Sequence, residues 1–256
     1  MKQSLEHFLK HGHEFTLQGI SIDNVIFGFH EGQLKVLLLQ SIYKNMWMLP
    51  GGFVNKTEHI DEAASRILKE RTGLSAIYLQ QFYTFGQPER ANNQILVKFL
   101  QGLNKNYDKD NWALQRFVSV GYYALVEFAK VNPQHPGEIS TASSWHDLDK
   151  LPELLMDHNQ IISKALEELR LKINNQPIGY NLLPKEFTMK SLQSIYETIL
   201  GRKLDRANFN RKMLSYGILD RKEKQYSGGA HKAPYLYSFN KKKYFKALQS
   251  GLGRDF

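Results

Sequence analysis

The sequence predicts an α/β domain followed by a smaller helical domain. In the first part, two runs rich in β-branched and aromatic residues, 15–29 and 33–42, precede a segment with apolar residues three and four apart. Near the C-terminus, two short helical patterns are joined by a glycine-containing turn and followed by a basic strand pair. Because composition and charge change between these parts, we expect domains at residues 1–174 and 175–256.

The first domain opens with a predicted hairpin whose turn is His30-Glu31-Gly32. After the break at Pro50-Gly51-Gly52, the pattern predicts a helix from Glu58 to Thr72 that Gly73 ends. Its apolar stripe consists of Ile60, Ala63, Ala64 and Ile67. Such a helix must bury that stripe, so we expect it to pack on the sheet.

The remaining predicted elements of this domain follow in order. They are strands within 75–86, 116–128 and 143–148 and an amphipathic helix over 158–173 with Ile161, Ala165, Leu166 and Leu169 inward. The polar stretch 87–115 is predicted to be a long excursion that covers a binding site or builds a dimer interface, with a short helix over 95–103 as an alternative. The domain boundary is expected near Asn175, in a connector containing proline and glycine.

Composition excludes several classes of protein. The chain of 256 residues has no cysteine, which excludes disulfides and thiolate metal sites and makes the cytoplasm the expected compartment. No apolar run has the length of a signal peptide core or a membrane span. The N-terminal histidines, His7, His11 and His13, match no ligand motif, so a solvated terminal segment is favoured over a metal site.

The net charge of +9 is concentrated at one end of the chain. Residues 175–256 contain 16 Lys and Arg against 6 Asp and Glu, whereas residues 1–174 contain 18 against 19. Such asymmetry is typical of a domain that binds a polyanion, most often nucleic acid, although a well-solvated surface gives the same count.

The C-terminal domain contains a predicted helix-turn-helix. Thr188 caps a first helix whose buried face is Met189, Leu192, Ile195, Tyr196 and Ile199, and Gly201 ends it. Asp205 caps a second helix over 206–216, which turns Phe209, Met213 and Tyr216 inward. A following strand, glycine-containing loop and strand resemble the wing of a winged helix.

The polar face of the second helix and the basic hairpin are the predicted DNA contacts. Arg and Asn side chains can read guanine and adenine, and Lys and Ser can hold phosphates. A winged helix that binds protein or RNA is the alternative. The candidate residues are Arg206, Asn208, Arg211, Lys212, Ser215, Lys222, Lys224, His231 and Lys232.

Residues 52–74 resemble the Nudix box, G-x5-E-x7-R-E-U-x-E-E-x-G-U, where U is a bulky aliphatic residue. The matching positions are Gly52, Glu58, Arg66, Leu68, Glu70, Gly73 and Leu74. The resemblance extends over most of residues 15–173 and implies an α/β/α sandwich with a mixed sheet. It also implies a chemistry in which clustered glutamates hold divalent ions that activate water against a nucleoside diphosphate.

Two acidic positions of the box are missing. Ile67 stands where the glutamate after Arg66 is expected, and Arg71 stands at the second position of the Glu-Glu pair. A hydrocarbon and a cation do not bind magnesium, so we interpret the box as a structural relic in which Glu58 and Arg66 brace each other. Residual hydrolysis, with Mg²⁺ and a carboxylate outside the box such as Glu89, is the alternative.

A degenerate Nudix domain followed by a winged helix is similar to the bacterial Nudix-related transcriptional regulators, particularly their sugar-responsive branch. The segments PIGYNLLPKEFT and LDRANFNRK carry this resemblance. It implies a homodimer on operator DNA, acting as a repressor, that senses arabinose, another pentose or ADP-ribose. The predicted effector contacts are Trp47, Phe85, Gln87 and Arg90. An active pyrophosphohydrolase of the ADP-ribose pyrophosphatase type and a non-catalytic adaptor are the competing functions.

Overall fold

The computed structural model describes residues 5–42, 46–75, 77–91, 97, 112–128, 139–173, 177–224 and 233–250. They divide into two compact units. The first draws on residues within 1–27, 35–124 and 131–165, and the second on residues within 28–34, 125–130 and 166–256. Because the second unit begins before residue 175 and also takes in two short sheet segments, a domain boundary at residue 175 stays a prediction.

A seven-stranded sheet dominates the first unit, and its mixed character is what the resemblance implies, whereas the short strands over 47–48 and 51–55 are not predicted. Its strands are β1 (Thr16–His30), β2 (Gln33–Ser41), β3 (Trp47–Met48), β4 (Gly51–Asn55), β5 (Gln80–Phe85), β6 (Val118–Glu127) and β7 (Ser140–Asp147). The strand order is β3-β2-β1-β6-β5, while β4 pairs with β1 and β7 pairs with β2. Glu31 and Gly32 have positive φ angles and form the tight turn between β1 and β2, which confirms the hairpin.

Among the described residues, three helices accompany this sheet: α1 (Leu5–Phe15), α2 (Ile60–Thr72) and α3 (His158–Lys172). The prediction of a solvated N-terminal segment is wrong, because α1 packs Phe8 on the rings of Phe53 and Trp112 at 5.7 and 5.2 Å. A methyl group on Gly12 would lie 2.2 Å from the Trp112 indole, so only glycine lets the helix approach that ring.

Helix α2 positions the box. It begins at Ile60 rather than at the predicted Glu58, because Glu58 lies in the preceding turn and accepts a hydrogen bond from the Asn55 amide at 2.7 Å. The helix ends as predicted at Gly73, which has a φ of 75° and donates its N–H to the Lys69 carbonyl. The inner face packs in a core that contains Ile22, Val54, Ala63, Ala64, Ile67, Val120 and Tyr122.

The second unit contains the helix pair and the hairpin. Its elements include β8 (Phe187–Thr188), α4 (Met189–Leu200), α5 (Arg206–Ser215), β9 (Leu219–Lys224), β10 (Tyr235–Phe239) and α6 (Lys241–Ser250). The strands form an antiparallel sheet in the order β8-β10-β9. Thr188 caps α4, Asp205 caps α5, and Gly201 ends α4 in the left-handed conformation, all as predicted. Helix α6 was not predicted.

Apart from residue 97, only the two ends of the excursion over 87–115 belong to the described residues. They form single 3₁₀ turns at Pro88–Ala91 and Trp112–Leu114. The alternative helix over 95–103 lies outside the described residues, apart from one helical position at residue 97. None of the helices in the described part of the chain combines the length and the apolar character of a membrane-spanning helix.

Candidate functional site

An ion pair ties the box loop to helix α2. The Arg66 guanidinium donates to both carboxylate oxygens of Glu58, at 2.8 and 2.6 Å, and to the Phe53 carbonyl oxygen at 2.9 Å. The hydrogen bonds from Arg66 hold the pKa of Glu58 below its ordinary value, although burial opposes the shift. The bracing predicted for Glu58 and Arg66 is therefore confirmed.

Ile67 lies in the core, as its place in the apolar stripe predicts. Its side chain is 1% exposed, and a methyl group on Gly52 would stand 3.1 Å from it. The isoleucine therefore fills the space directly beneath the box loop. A carboxylate at this position would be desolvated against hydrocarbon rather than presented to an ion.

Arg71 turns from the last turn of α2 onto the loop. Its Nε donates to the Gly51 carbonyl oxygen at 3.1 Å. Burial lowers the pKa of the Arg71 guanidinium, while the nearby Glu70 opposes the shift. The Glu70 carboxylate itself is 55% exposed and pairs with Arg66 at 3.0 Å. Within the described ranges, no three His, Asp or Glu side chains are arranged to hold a metal ion.

A buried charged cluster lies beneath the same loop. Arg90 pairs with Asp157 at 2.7 Å and with Asp23 at 3.6 Å, and the side chains of these three residues are between 4% and 12% exposed. Ser119 donates its hydroxyl to Asp23 at 2.5 Å. His158 faces Asp23 at 3.6 Å through Nε2, while its Nδ1 accepts the Leu49 N–H at 3.1 Å. The cluster therefore connects β1, the Pro88–Ala91 turn and the start of α3.

The structure brings together three of the four predicted effector residues. Phe85 is buried under the Arg90 guanidinium, 5.9 Å from the centre of its ring, and the carbonyl of the exposed Gln87 accepts the Arg90 N–H. Trp47 instead packs edge-on against His146 at 4.3 Å. Phe85 and Arg90 are thus core residues here, and an effector role for any of the four stays a prediction.

Sequence reasoning missed Asp23, Asp157 and His158. Asp23 is a lone acid within an apolar strand, which is a signal of a buried charge that requires a partner. Asp157 and His158 stand at the start of an amphipathic helix, where polar residues are ordinary. Arg90, the partner of Asp157, is 67 residues away along the chain, so no local pattern connects the pair.

His158 makes stability depend on pH. Burial lowers the pKa of His158, although Asp23 and Asp157 oppose this shift. Since the unfolded chain then binds the proton more readily, the stabilisation is complete above about pH 6.5 and is lost as the pH falls, by at most about 1.4 kcal/mol per pH unit. We expect the stability difference between the parent and His158→Gln to shrink between pH 7.5 and 5.5, as measured by urea denaturation. Parallel pH profiles would contradict this assignment.

The outer face of α5 presents the predicted DNA contacts. Phe209 and Met213 are buried, and Phe209 packs edge-on against Tyr196 at 5.2 Å, which fixes the rotation of α5 on α4. On the opposite side, Asn208, Arg211, Lys212 and Ser215 are exposed, and Arg206 is exposed at the first position of the helix. Arg211 already donates to the Asn208 side chain at 2.7 Å. This face can present donors and cations to a groove of DNA.

Strands β9 and β10 form the predicted hairpin. Lys222 is exposed, and the Lys224 ammonium lies 5.3 Å from the centre of the Tyr235 ring, which also receives Arg221 at 4.5 Å. His231 and Lys232 lie outside the described residues. The described cations of the hairpin suit contacts to phosphates.

These features define a class of protein: a Nudix-type domain with an altered acidic helix, joined in one chain to a winged helix with an exposed cationic face. The family models agree. The NUDIX domain model matches residues 18–169, and the model of the NrtR DNA-binding winged helix domain matches residues 179–239.

Similarity to known proteins extends over most of the chain. The "ADPR responsive transcriptional repressor NtrR" of Acinetobacter baylyi is 31% identical over 227 residues, which are 86% of this chain and 81% of that protein. The crystal structure of Shewanella oneidensis NrtR with a 27mer DNA superposes with a TM-score of 0.68 at 27% identity, covering 89% of this chain and 96% of that one. An ADP-ribose pyrophosphatase of Methanocaldococcus jannaschii is 28% identical over 56% of this chain and 70% of its own length.

The chain belongs to the NUDIX family and, within it, to the NrtR-type transcriptional regulators with a DNA-binding winged helix domain.

Proposed function

We propose that this protein is an ADP-ribose-responsive transcriptional repressor whose Nudix domain senses its ligand without hydrolysing it. In this proposal, α5 and the β9–β10 hairpin hold operator DNA, and the effector weakens that complex. The effector acts only through its different affinities for the DNA-competent and DNA-incompetent forms.

The arrangement of the box side chains is the observation that carries the proposal. Glu58 is engaged by Arg66, Ile67 is in the core, and Arg71 places a cation on the Gly51 carbonyl. Magnesium needs several free oxygen ligands in octahedral geometry. The side chains present at the box do not fit such an ion, which favours recognition over metal-assisted hydrolysis.

ADP-ribose takes precedence over arabinose or another pentose as the proposed effector. The Acinetobacter relative, which is similar over 86% of the chain, is ADPR-responsive. The resemblance of two short segments to the sugar-responsive branch is weaker support, because it involves the winged helix and its connector rather than the box.

A homodimer is part of the proposal for a physical reason. The single helix α5 has ten residues and presents five candidate contacts, too few for much sequence discrimination. Two copies related by a two-fold axis read half-sites about 34 Å apart and add their contacts. Sedimentation velocity of the free protein and of its DNA complex tests this step.

A direct test uses a duplex selected by this protein from a random-sequence pool. We expect tight binding of the selected duplex, a steep loss of affinity with rising salt, and release by ADP-ribose but not by arabinose. Release by arabinose alone would transfer the effector assignment to a sugar. Indifference to DNA sequence would favour the adaptor function.

Two substitutions separate sequence reading from phosphate contact. Arg211→Ala is expected to weaken binding of the selected duplex by about 1–3 kcal/mol and to relax the preference at one base pair. Lys224→Ala is expected to weaken binding to all duplexes alike. It should also reduce the slope of log affinity against log salt concentration by about one. Fluorescence anisotropy with a set of single-base variants measures both effects. If both proteins bind like the parent, the DNA-reading surface is misassigned.

Hydrolysis of a nucleoside diphosphate sugar is the second candidate function, and the similarity to the Methanocaldococcus ADP-ribose pyrophosphatase favours it. Magnesium-dependent release of phosphate from ADP-ribose, coupled to a phosphatase, measures it. Glu89 is the predicted carboxylate outside the box, but its side chain lies outside the described residues. Sustained turnover would replace the sensing role of the Nudix domain by catalysis.

A further inference from the structure

Arg71 has a cationic charge that is paired with no carboxylate in the described structure. The last turn of α2 carries two cations, Lys69 and Arg71. Lys69 is exposed, whereas Arg71 is half-buried and donates to the Gly51 carbonyl. An arginine that only complements the helix dipole needs no burial.

Nearby carboxylates are committed elsewhere. Glu58 and Glu70 both pair with Arg66, and Asp23 faces Arg90 and His158. Among the described residues, none forms an ion pair with Arg71. Burial of a cation without a direct anion is unfavourable, and the lowered pKa of Arg71 reflects this cost.

The bond to Gly51 fixes the orientation of the guanidinium. It engages Nε, which leaves the two terminal nitrogens of the planar group with no hydrogen-bond partner in the described part of the chain. A guanidinium held at one edge can present its remaining donors as a fork to two oxygens of one phosphate. Gly51 itself has no freedom to carry a side chain, because a methyl group there would stand 2.6 Å from Asp23.

We propose that Arg71 is the anchor for the diphosphate of a nucleoside diphosphate effector, binding it directly and without a metal ion. The proposal rests on the function proposed above and names the group that makes that ligand recognisable. Glu58, Arg66, Glu70 and Arg71 together carry no net charge, so a dication is not attracted to them, whereas the free guanidinium edge attracts an oxyanion. The substitution that removes metal binding thus supplies a replacement for the metal.

Calorimetric titration of the full-length protein with ADP-ribose and with inorganic pyrophosphate, both in excess EDTA, tests the proposal. We expect the parent to bind both ligands. Arg71→Ala is expected to lose about 10- to 100-fold in affinity for each, the range of a charge-assisted hydrogen bond. Arg71→Gln keeps an amide donor for the Gly51 carbonyl without the charge and is expected to lose affinity by a similar factor. This variant therefore distinguishes the effect of the charge from an effect of a disturbed loop.

Lys69→Ala is the matched control, since it removes the same charge from the same helical turn. It is expected to bind both ligands like the parent. Binding of ADP-ribose only when Mg²⁺ is added, or equal binding by the parent and Arg71→Ala, overturns the anchor and leaves the effector assignment standing. Binding of pyrophosphate but not ADP-ribose, with loss in Arg71→Ala, supports the anchor and overturns ADP-ribose as the effector. Binding of neither ligand in EDTA overturns the anchor.

Discussion

Replacement of Arg90 by methionine is expected to lower the free energy of unfolding by about 3–5 kcal/mol at pH 7. Methionine fills much of the same volume, so the effect comes from the charge rather than from a cavity. Without the guanidinium, the carboxylates of Asp23 and Asp157 stay buried and lose their cationic partner among the described residues, since burial lowers the pKa of His158 and favours its neutral form. An isolated buried charge costs far more than the original ion pair contributed.

The pH dependence of this variant provides a second readout. Burial raises the pKa of Asp157, and Arg90 opposes that shift, so loss of Arg90 raises this pKa further. The folded variant then binds a proton more readily than the unfolded chain, and its stability increases on acidification relative to the parent. We therefore expect the difference in the free energy of unfolding between the parent and Arg90→Met to become smaller below about pH 6.

Urea denaturation followed by circular dichroism measures both effects. Arg116→Met is the matched control, because Arg116 is an exposed arginine that donates to the Gly86 carbonyl. Its substitution is expected to cost less than about 1 kcal/mol. Equal losses in the two variants would show that the buried cluster contributes nothing beyond a surface hydrogen bond.

Restoration of the family's glutamate by Ile67→Glu is expected to destabilise the protein by about 3–5 kcal/mol. The isoleucine belongs to the same core cluster as Ala63, Ala64 and Tyr122, and it lies directly beneath the loop at Gly52. A carboxylate there either stays ionised without partners or takes up a proton, and it loses the packing in both cases. The change that brings the box nearer to its catalytic pattern therefore harms the fold.

Two controls separate burial from charge. Ser65→Glu adds the same carboxylate at an exposed position of the same helix and is expected to change stability by less than about 0.5 kcal/mol. Ile67→Val keeps the apolar contact and is expected to cost about 0.5–1.5 kcal/mol. Thermal and urea unfolding of the three variants provide the comparison. A stable Ile67→Glu protein that binds Mn²⁺ would show that the box retains a metal site.

The local features of the fold were predictable because local chemistry determines them. Thr188 and Asp205 begin their helices and Gly201 ends one, each through contacts with residues a few positions away. The structure shows each residue in that role. The box was equally visible, since its spacing places Glu58 beside Arg66 across one loop. In both cases the information lies within a few turns of chain.

The features that the sequence does not predict depend on contacts between segments that are distant along the chain. The sequence predicts Arg90 only as an effector contact, because its partners Asp23 and Asp157 lie far away in the sequence. They meet Arg90 only when the sheet and α3 come together. Helix α1 was missed for the same reason, as Phe8 finds its partners at Phe53 and Trp112. The isolated acid in β1 was the available signal, and it indicated a partner without identifying one.

The two hydrogen bonds from Arg66 to the Glu58 carboxylate have a consequence for the rate at which the effector associates. Because Arg66 also holds the Phe53 carbonyl, hydrogen bonds within the chain itself fix the shape of the loop. Most of the ordering entropy is therefore lost during folding rather than during capture of the effector. A loop that is ordered in this way adds no slow closing step of its own, so the association rate of the effector should approach the limit set by diffusion and charge steering.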